Sequence, residues 1–178
     1  MRDQQTPCRL MPERPLPRYA YLPGRHPHPT RDVDGHSHDA AAPETDGLTP
    51  DQSIRWGLDL FAHGYYWEAH EAWEGVWAAS ARGSPRRALT KSLILLAASG
   101  VKLRTGKAIA AERHAKRASS LLRTVHGDSA DGFKTLAGVA PSEIADIVDR
   151  IAFAVDVRTA AVGAPPEIAP SFAPLRFR

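Results

Sequence analysis

Residues 87–104 read RALTKSLILLAASGVKLR, and the spacing of their apolar side chains decides the fold class. Leu93, Ile94, Leu96, Ala97, Val101 and Leu103 spread over well over half of a helical circumference, the pattern of a helix enclosed by other helices. Such a helix is the centre of a bundle. Thr105-Gly106 breaks it, and a fourth helix is predicted from Lys107 to about Val125, with Ala108, Ala111, Ala115, Ala118 and Leu122 forming a narrow stripe of mostly small side chains that permits close packing. Upstream, Thr49-Pro50-Asp51-Gln52 is a helix start with Thr49 as N-cap, Pro50 at the first helical position and Gln52 placed to reach back. Ile54, Leu58 and Phe61 then share one face, and Gly64 suits a left-handed stop. A second helix follows over residues 65–79, closed by Arg82-Gly83-Ser84-Pro85. Residues 127–132, rich in Gly, Asp and Ser, are predicted as loop. Pro141 opens a fifth helix with Ile144, Ile147, Val148, Ile151 and Val155 on one face. No segment alternates as a strand would, so the expected fold is all-α, a compact antiparallel bundle of about five helices with extended N- and C-terminal segments.

The bundle domain is assigned to residues 48–160, between two flanks of different composition. Residues 1–47 form a Pro/His-rich arm; the first 50 residues hold nine prolines and four histidines but only Leu10, Leu16, Leu22, Val33 and Leu48 from the Leu, Ile, Val and Phe group. So little apolar surface does not offset ordering entropy by itself, which predicts a largely irregular arm or tail. Residues 161–178 carry Pro165, Pro166, Pro170 and Pro174 among Ile168, Phe172, Leu175 and Phe177, a strap able to pack on the core through those apolar side chains.

The 178 residues have a formal net charge of +3, but opposed segments make that sum. Residues 51–81 carry five acids against Arg55, whereas residues 82–126 carry eleven basic residues against Glu112 alone. One cysteine, Cys8, excludes an internal disulfide framework and a Cys-rich zinc site, and points to a reducing cytoplasm. The first 25 residues have no apolar run of a secretory leader, and the longest apolar run, residues 93–98, is far too short to span a bilayer. A cytoplasmic, non-membrane protein is expected, and the apolar tail and bundle edges could support a homo-oligomer.

Projecting the second helix at about 100° per residue puts Tyr66, Trp73 and Trp77 in a narrow arc, with His70 and Glu74 immediately beside it and Glu68 most remote. His70 and Glu74 are i, i+4 neighbours, close enough to touch one ion or one substrate group. Arg86 and Arg87, at the start of the facing helix, are the nearest cations for those carboxylates.

The run Gly64-Tyr65-Tyr66-Trp67-Glu68-Ala69-His70-Glu71-Ala72-Trp73-Glu74-Gly75-Val76-Trp77 closely resembles the signature of the bacterial and archaeal family catalogued as domain of unknown function 309. The Leu93-Ile94-Leu95-Leu96-Ala97-Ala98 segment and the Lys102-Leu103-Arg104-Thr105-Gly106 turn support the resemblance, which covers roughly residues 51–125. It implies a small all-α bundle and no established activity. Trp67 stands where a smaller aromatic is expected, and Ser92 and Leu95 where glycine and glutamine are common; the latter would remove one polar group below the motif. Residues 21–29 are also similar, in looser form, to a Tyr-x-x-Pro-Gly-x-x-Pro-His-Pro lead of some members.

Three readings compete for His70, Glu71 and Glu74. A packing network with Arg86 or Arg87 would tie the second helix to the third. A divalent metal, zinc, manganese or iron, would take His70 and Glu74, with Glu71 or one of the arm histidines His26, His28, His36 and His38 folded over the bundle. The motif lacks the second histidine of the zinc-protease pattern, and the third helix has no acidic residue for a di-iron site. A metal-free acid/base enzyme, with His70 as base and Glu74 orienting it, is the weakest reading, since no nucleophile elbow or phosphate loop is present. The sequence leans away from an enzyme. As another class, nucleic-acid or anionic-partner binding would use Arg113, Lys116, Arg117 and Arg123, opposite the alanine stripe of the fourth helix.

Overall fold

The computed structural model describes residues 7–38, 47–153 and 168–178. Among them are six α-helices and no strand: α1 (Pro50–Ala62), α2 (Tyr66–Ala79), α3 (Pro85–Arg104), α4 (Ala108–Leu122), α5 (Asp128–Ala137) and α6 (Pro141–Asp149), with a short 3-10 turn at Pro170–Phe172. The fold is all-α. Helix α3 packs against both α2 and α4, α1 against α2 and α6 against α4, while α5 touches α1 and α6.

The termini follow the local chemistry. Thr49 Oγ1 accepts from the Gln52 backbone N–H at 3.2 Å while Gln52 Oε1 accepts from the Thr49 N–H at 2.9 Å, so two otherwise orphaned donors are satisfied together. At the end of α1, Gly64 takes a φ of 85°, which reverses the chain directly into α2. Helix α3 starts two residues earlier than expected because Ser84 Oγ accepts from the Arg87 N–H at 3.2 Å and Pro85 occupies the first turn.

One expectation is corrected. Residues 127–132 are not a loop; after Gly127 they form the first half of α5. Asp128 and Asp131 place negative charge in its first turn, favourable against the helix dipole. Phe133 and Ala137 are buried in the common core, so packing outweighs the turn-forming composition. Among the described residues the bundle accordingly has six helices rather than five. Val155, Pro165 and Pro166 lie outside the described residues.

Two helical glycines set the central spacing. Gly57 of α1 faces the indole of Trp73, and Gly100 of α3 faces the ring of Tyr66; a Cβ at either place would overlap those rings. Trp73 Nε1 donates to the Ile54 carbonyl at 3.2 Å, which satisfies its one polar atom inside the core. The C-terminal segment closes over the same region: the Ala169 N–H donates to the Tyr66 hydroxyl at 2.7 Å, and Phe172 packs at 5.1 Å from the Phe61 ring. Leu175 and Phe177 are also buried.

Residues 7–38 contain no helix or strand yet pack on the bundle, with Met11 joining the core and Leu10, Leu16 and Ala20 packed against it. Among the described residues, no helix is long and apolar enough to cross a membrane.

Candidate functional site

Helix α2 presents acidic groups to two different surroundings. His70, Glu71 and Glu74 lie on its outer side, where a ligand atom from each falls within 4.8 Å of the others. His70 Nε2 is 3.8 Å from Glu74 Oε2, and the imidazole is about one third exposed at 31%. Burial pushes the His70 pKa below its ordinary value, Lys91 adds to that, and Glu74 opposes it. The neutral ring, which is the ligating form, is therefore favoured near neutral pH.

The expected arginine partners are engaged elsewhere. Arg86 Nη2 donates to Asp51 at 2.6 Å on α1. Arg87 Nη1 donates to the carbonyls of Trp77 and Ser80 at 2.7 and 2.9 Å, where its charge complements the C-terminus of α2. Its guanidinium also lies 4.1 Å from the centre of the Trp77 ring, with the Lys91 ammonium at 4.7 Å, a cation–π pair of contacts. Tyr66 and Trp73 point into the core. Of the aromatic arc only Trp77 remains half-exposed.

The arm docks on the other side of α2, around Glu68. Tyr21 N–H donates to Glu68 Oε1 at 2.7 Å, and His36 Nε2 lies 3.2 Å from the same oxygen. Glu68 is 0% exposed, and its Oε2 has no hydrogen-bond partner among the described residues. Burial raises its pKa, against the lowering effect of His36 and the Tyr21 N–H. Nearby, burial also raises the Tyr65 phenol, with Glu68 adding to the shift. A second buried acid, Asp59 of α1, accepts from the Leu10 and Met11 backbone N–H groups at 2.7 and 2.8 Å and from Arg9 Nε at 3.0 Å.

The other arm histidines have separate positions. His26 Nδ1 accepts from the Leu22 N–H at 3.2 Å and its ring stacks on Tyr19; burial, with Arg25 adding, holds its pKa down. His28 packs edge-on against Trp67 at 5.5 Å, and His38 is exposed. The ligand group on α2 includes none of His26, His28, His36 or His38.

On α4, Lys116 pairs with Glu112 at 2.7 Å, and Arg123 bridges Asp146 and Asp149 of α6 at 2.8 and 2.7 Å. Arg113 and Arg117 are exposed without such a pair among the described residues. The four cations therefore do not form one uncompensated cluster.

Sequence reasoning missed Glu68 and Asp59 as arm receptors. Glu68 lies farthest from the aromatic arc, and Asp59 sits between Leu58 and Leu60 within an apolar stretch. The signal available was a carboxylate inside a buried run, which requires a partner; nothing local placed those partners 32 to 50 residues upstream.

Residues 54–114 match the family model described as Domain of unknown function (DUF309). This segment is similar to DUF309. The match runs from α1 into α4, so the matched span contains His70, Glu71 and Glu74 together with Glu68, Asp59 and both close-packing glycines. The docked arm, α5, α6 and the C-terminal segment lie outside the matched span. No curated protein and no solved structure matches the chain.

Proposed function

We propose that the DUF309-like segment of this chain binds one divalent transition-metal ion through His70, Glu71 and Glu74. The observation that carries this reading is the convergence of one imidazole and two carboxylates within 4.8 Å. Imidazole with carboxylates suits zinc, manganese or iron, and zinc is the best matched to a set of three protein ligands. Three ligands from two adjacent helical turns leave a coordination position for water or a small ligand, so the site is of the exchangeable type rather than a closed structural one. The exposure of Glu71 and Glu74 keeps that position accessible. Burial of His70 favours the neutral ring and thus reduces competition from protons.

Zinc titration of untagged protein by calorimetry, paired with elemental analysis, tests the reading. One equivalent is expected at pH 7, with weaker binding as acid protonates the ligands. His70→Ala and Glu74→Gln should each remove stoichiometric binding. Sub-stoichiometric metal that stays the same in His70→Ala overturns the proposal.

A further inference from the structure

Ser99 Oγ donates to the Ala111 carbonyl at 2.8 Å, which sets the middle of α3 against the first turns of α4. Along α3, Lys91, Leu95, Ala98 and Lys102 recur at i, i+4, i+7 and i+11, and all but Leu95 are half-buried. They form one edge of the helix. On α4, His114 follows Ala111 by three residues and Arg117 follows His114 by three, so both lie along this edge of the seam, while Arg113 is exposed further round the helix. The surrounding basic residues are compensated: Arg86 by Asp51, Lys116 by Glu112, and Arg123 by Asp146 and Asp149. Lys91, Lys102, Arg113 and Arg117 have no carboxylate partner among the described residues.

We propose that the α3–α4 seam binds a phosphodiester backbone through Lys91, Lys102, Arg113 and Arg117. Eleven residues separate the two lysines, so the cationic row extends about 16 Å along α3. That length exceeds one phosphate group and faces several successive phosphates of a strand. Arginine's planar fork matches phosphate oxygens. An acidic protein partner would need an apolar anchor at the centre of its interface, whereas the half-exposed floor between the lysines is Ala98. The half-exposed Trp77 ring beside Lys91 is already taken by the Arg87 and Lys91 cations, so the row reads phosphates rather than bases and binding is independent of sequence.

His114 reports on the field of this row. Burial first, then Lys102, Arg117, Arg113 and Lys91, push its pKa down, and its Nδ1 is buried without a hydrogen-bond partner. Phosphate charge on the seam offsets those cations and raises the imidazole pKa.

Fluorescence anisotropy with a labelled mixed-sequence DNA oligonucleotide, full-length protein and graded salt tests this. Four phosphate contacts give a log–log salt slope of about −3.6 for a duplex and about −2.8 for a single strand, and the two probes identify the preferred form. Arg113→Gln and Arg117→Gln should each reduce the slope by about 1, while Lys116→Gln leaves it unchanged. The His114 ring signals, followed by NMR, should titrate at higher pH in the complex. The absence of binding at about 50 mM salt, equal binding by the Arg113→Gln/Arg117→Gln double variant, or equal affinity for polyglutamate overturns the proposal.

Discussion

Asp59→Ala should lower the stability of the folded chain by about 3 to 4 kcal/mol and release the arm from α1. The carboxylate is 1% exposed and accepts three donors from residues 9–11. Its removal leaves the Met11 N–H buried without its acceptor and frees Arg9, whose guanidinium carbon is 5.7 Å from the Trp56 ring centre. Urea unfolding measures the energetic loss, and limited trypsin digestion measures release through faster cleavage after Arg14 and Arg18. Asp51→Ala is the internal comparison: its pair with Arg86 is solvent-exposed, and such pairs contribute no more than about 1 kcal/mol. A midpoint for Asp59→Ala no lower than that of Asp51→Ala would show that the arm is not held through this carboxylate.

Gly100→Ala should destabilise by about 3 kcal/mol, the upper part of the range for overpacking. The new methyl would meet the Tyr66 ring, and that ring cannot retreat freely because its hydroxyl holds the Ala169 N–H and it makes edge contacts with Phe61 and Phe172. Gly57→Ala should act similarly through Trp73. Two other helical glycines give the opposite sign. Gly75 and Gly132 are exposed and have open space around a built Cβ, so alanine there should stabilise by about 0.5 to 1 kcal/mol through helix propensity and reduced unfolded-state entropy. Denaturant midpoints of the four alanine variants separate the effects. Equal midpoints for Gly100→Ala and Gly75→Ala would refute the close-packing account.

The difference among those glycines shows where sequence stops being informative. Gly57, Gly75 and Gly100 stand inside helical patterns, and only the neighbouring helix distinguishes them. Helix α5 makes the same point at the level of an element: its Gly/Asp/Ser composition favours a turn, while Phe133 and Ala137 obtain their burial from helices distant in sequence. The candidate metal group was legible because its three residues share one helix and fixed geometry relates them. Arg86 and Arg87 were legible only as nearby cations; their partners, Asp51 and the carbonyls at the end of α2, depend on the angle at which α3 meets α1 and α2.

What the sequence determined by itself was local: the all-α class, the capped start of α1 and the proline-led start of α6, the central role of α3, and the juxtaposition of His70, Glu71 and Glu74. Each follows from a period of about 3.6 residues or from a terminus whose donors need acceptors. Tertiary structure alone decided that the proline-rich arm has a bound course. Its few apolar residues could not order it, but Asp59 and Glu68 offer buried acceptors to its backbone and to His36. A buried carboxylate strongly requires such donors, and which distant segment supplies them is set by the assembled surface of α1 and α2 rather than by a repeating pattern along the chain.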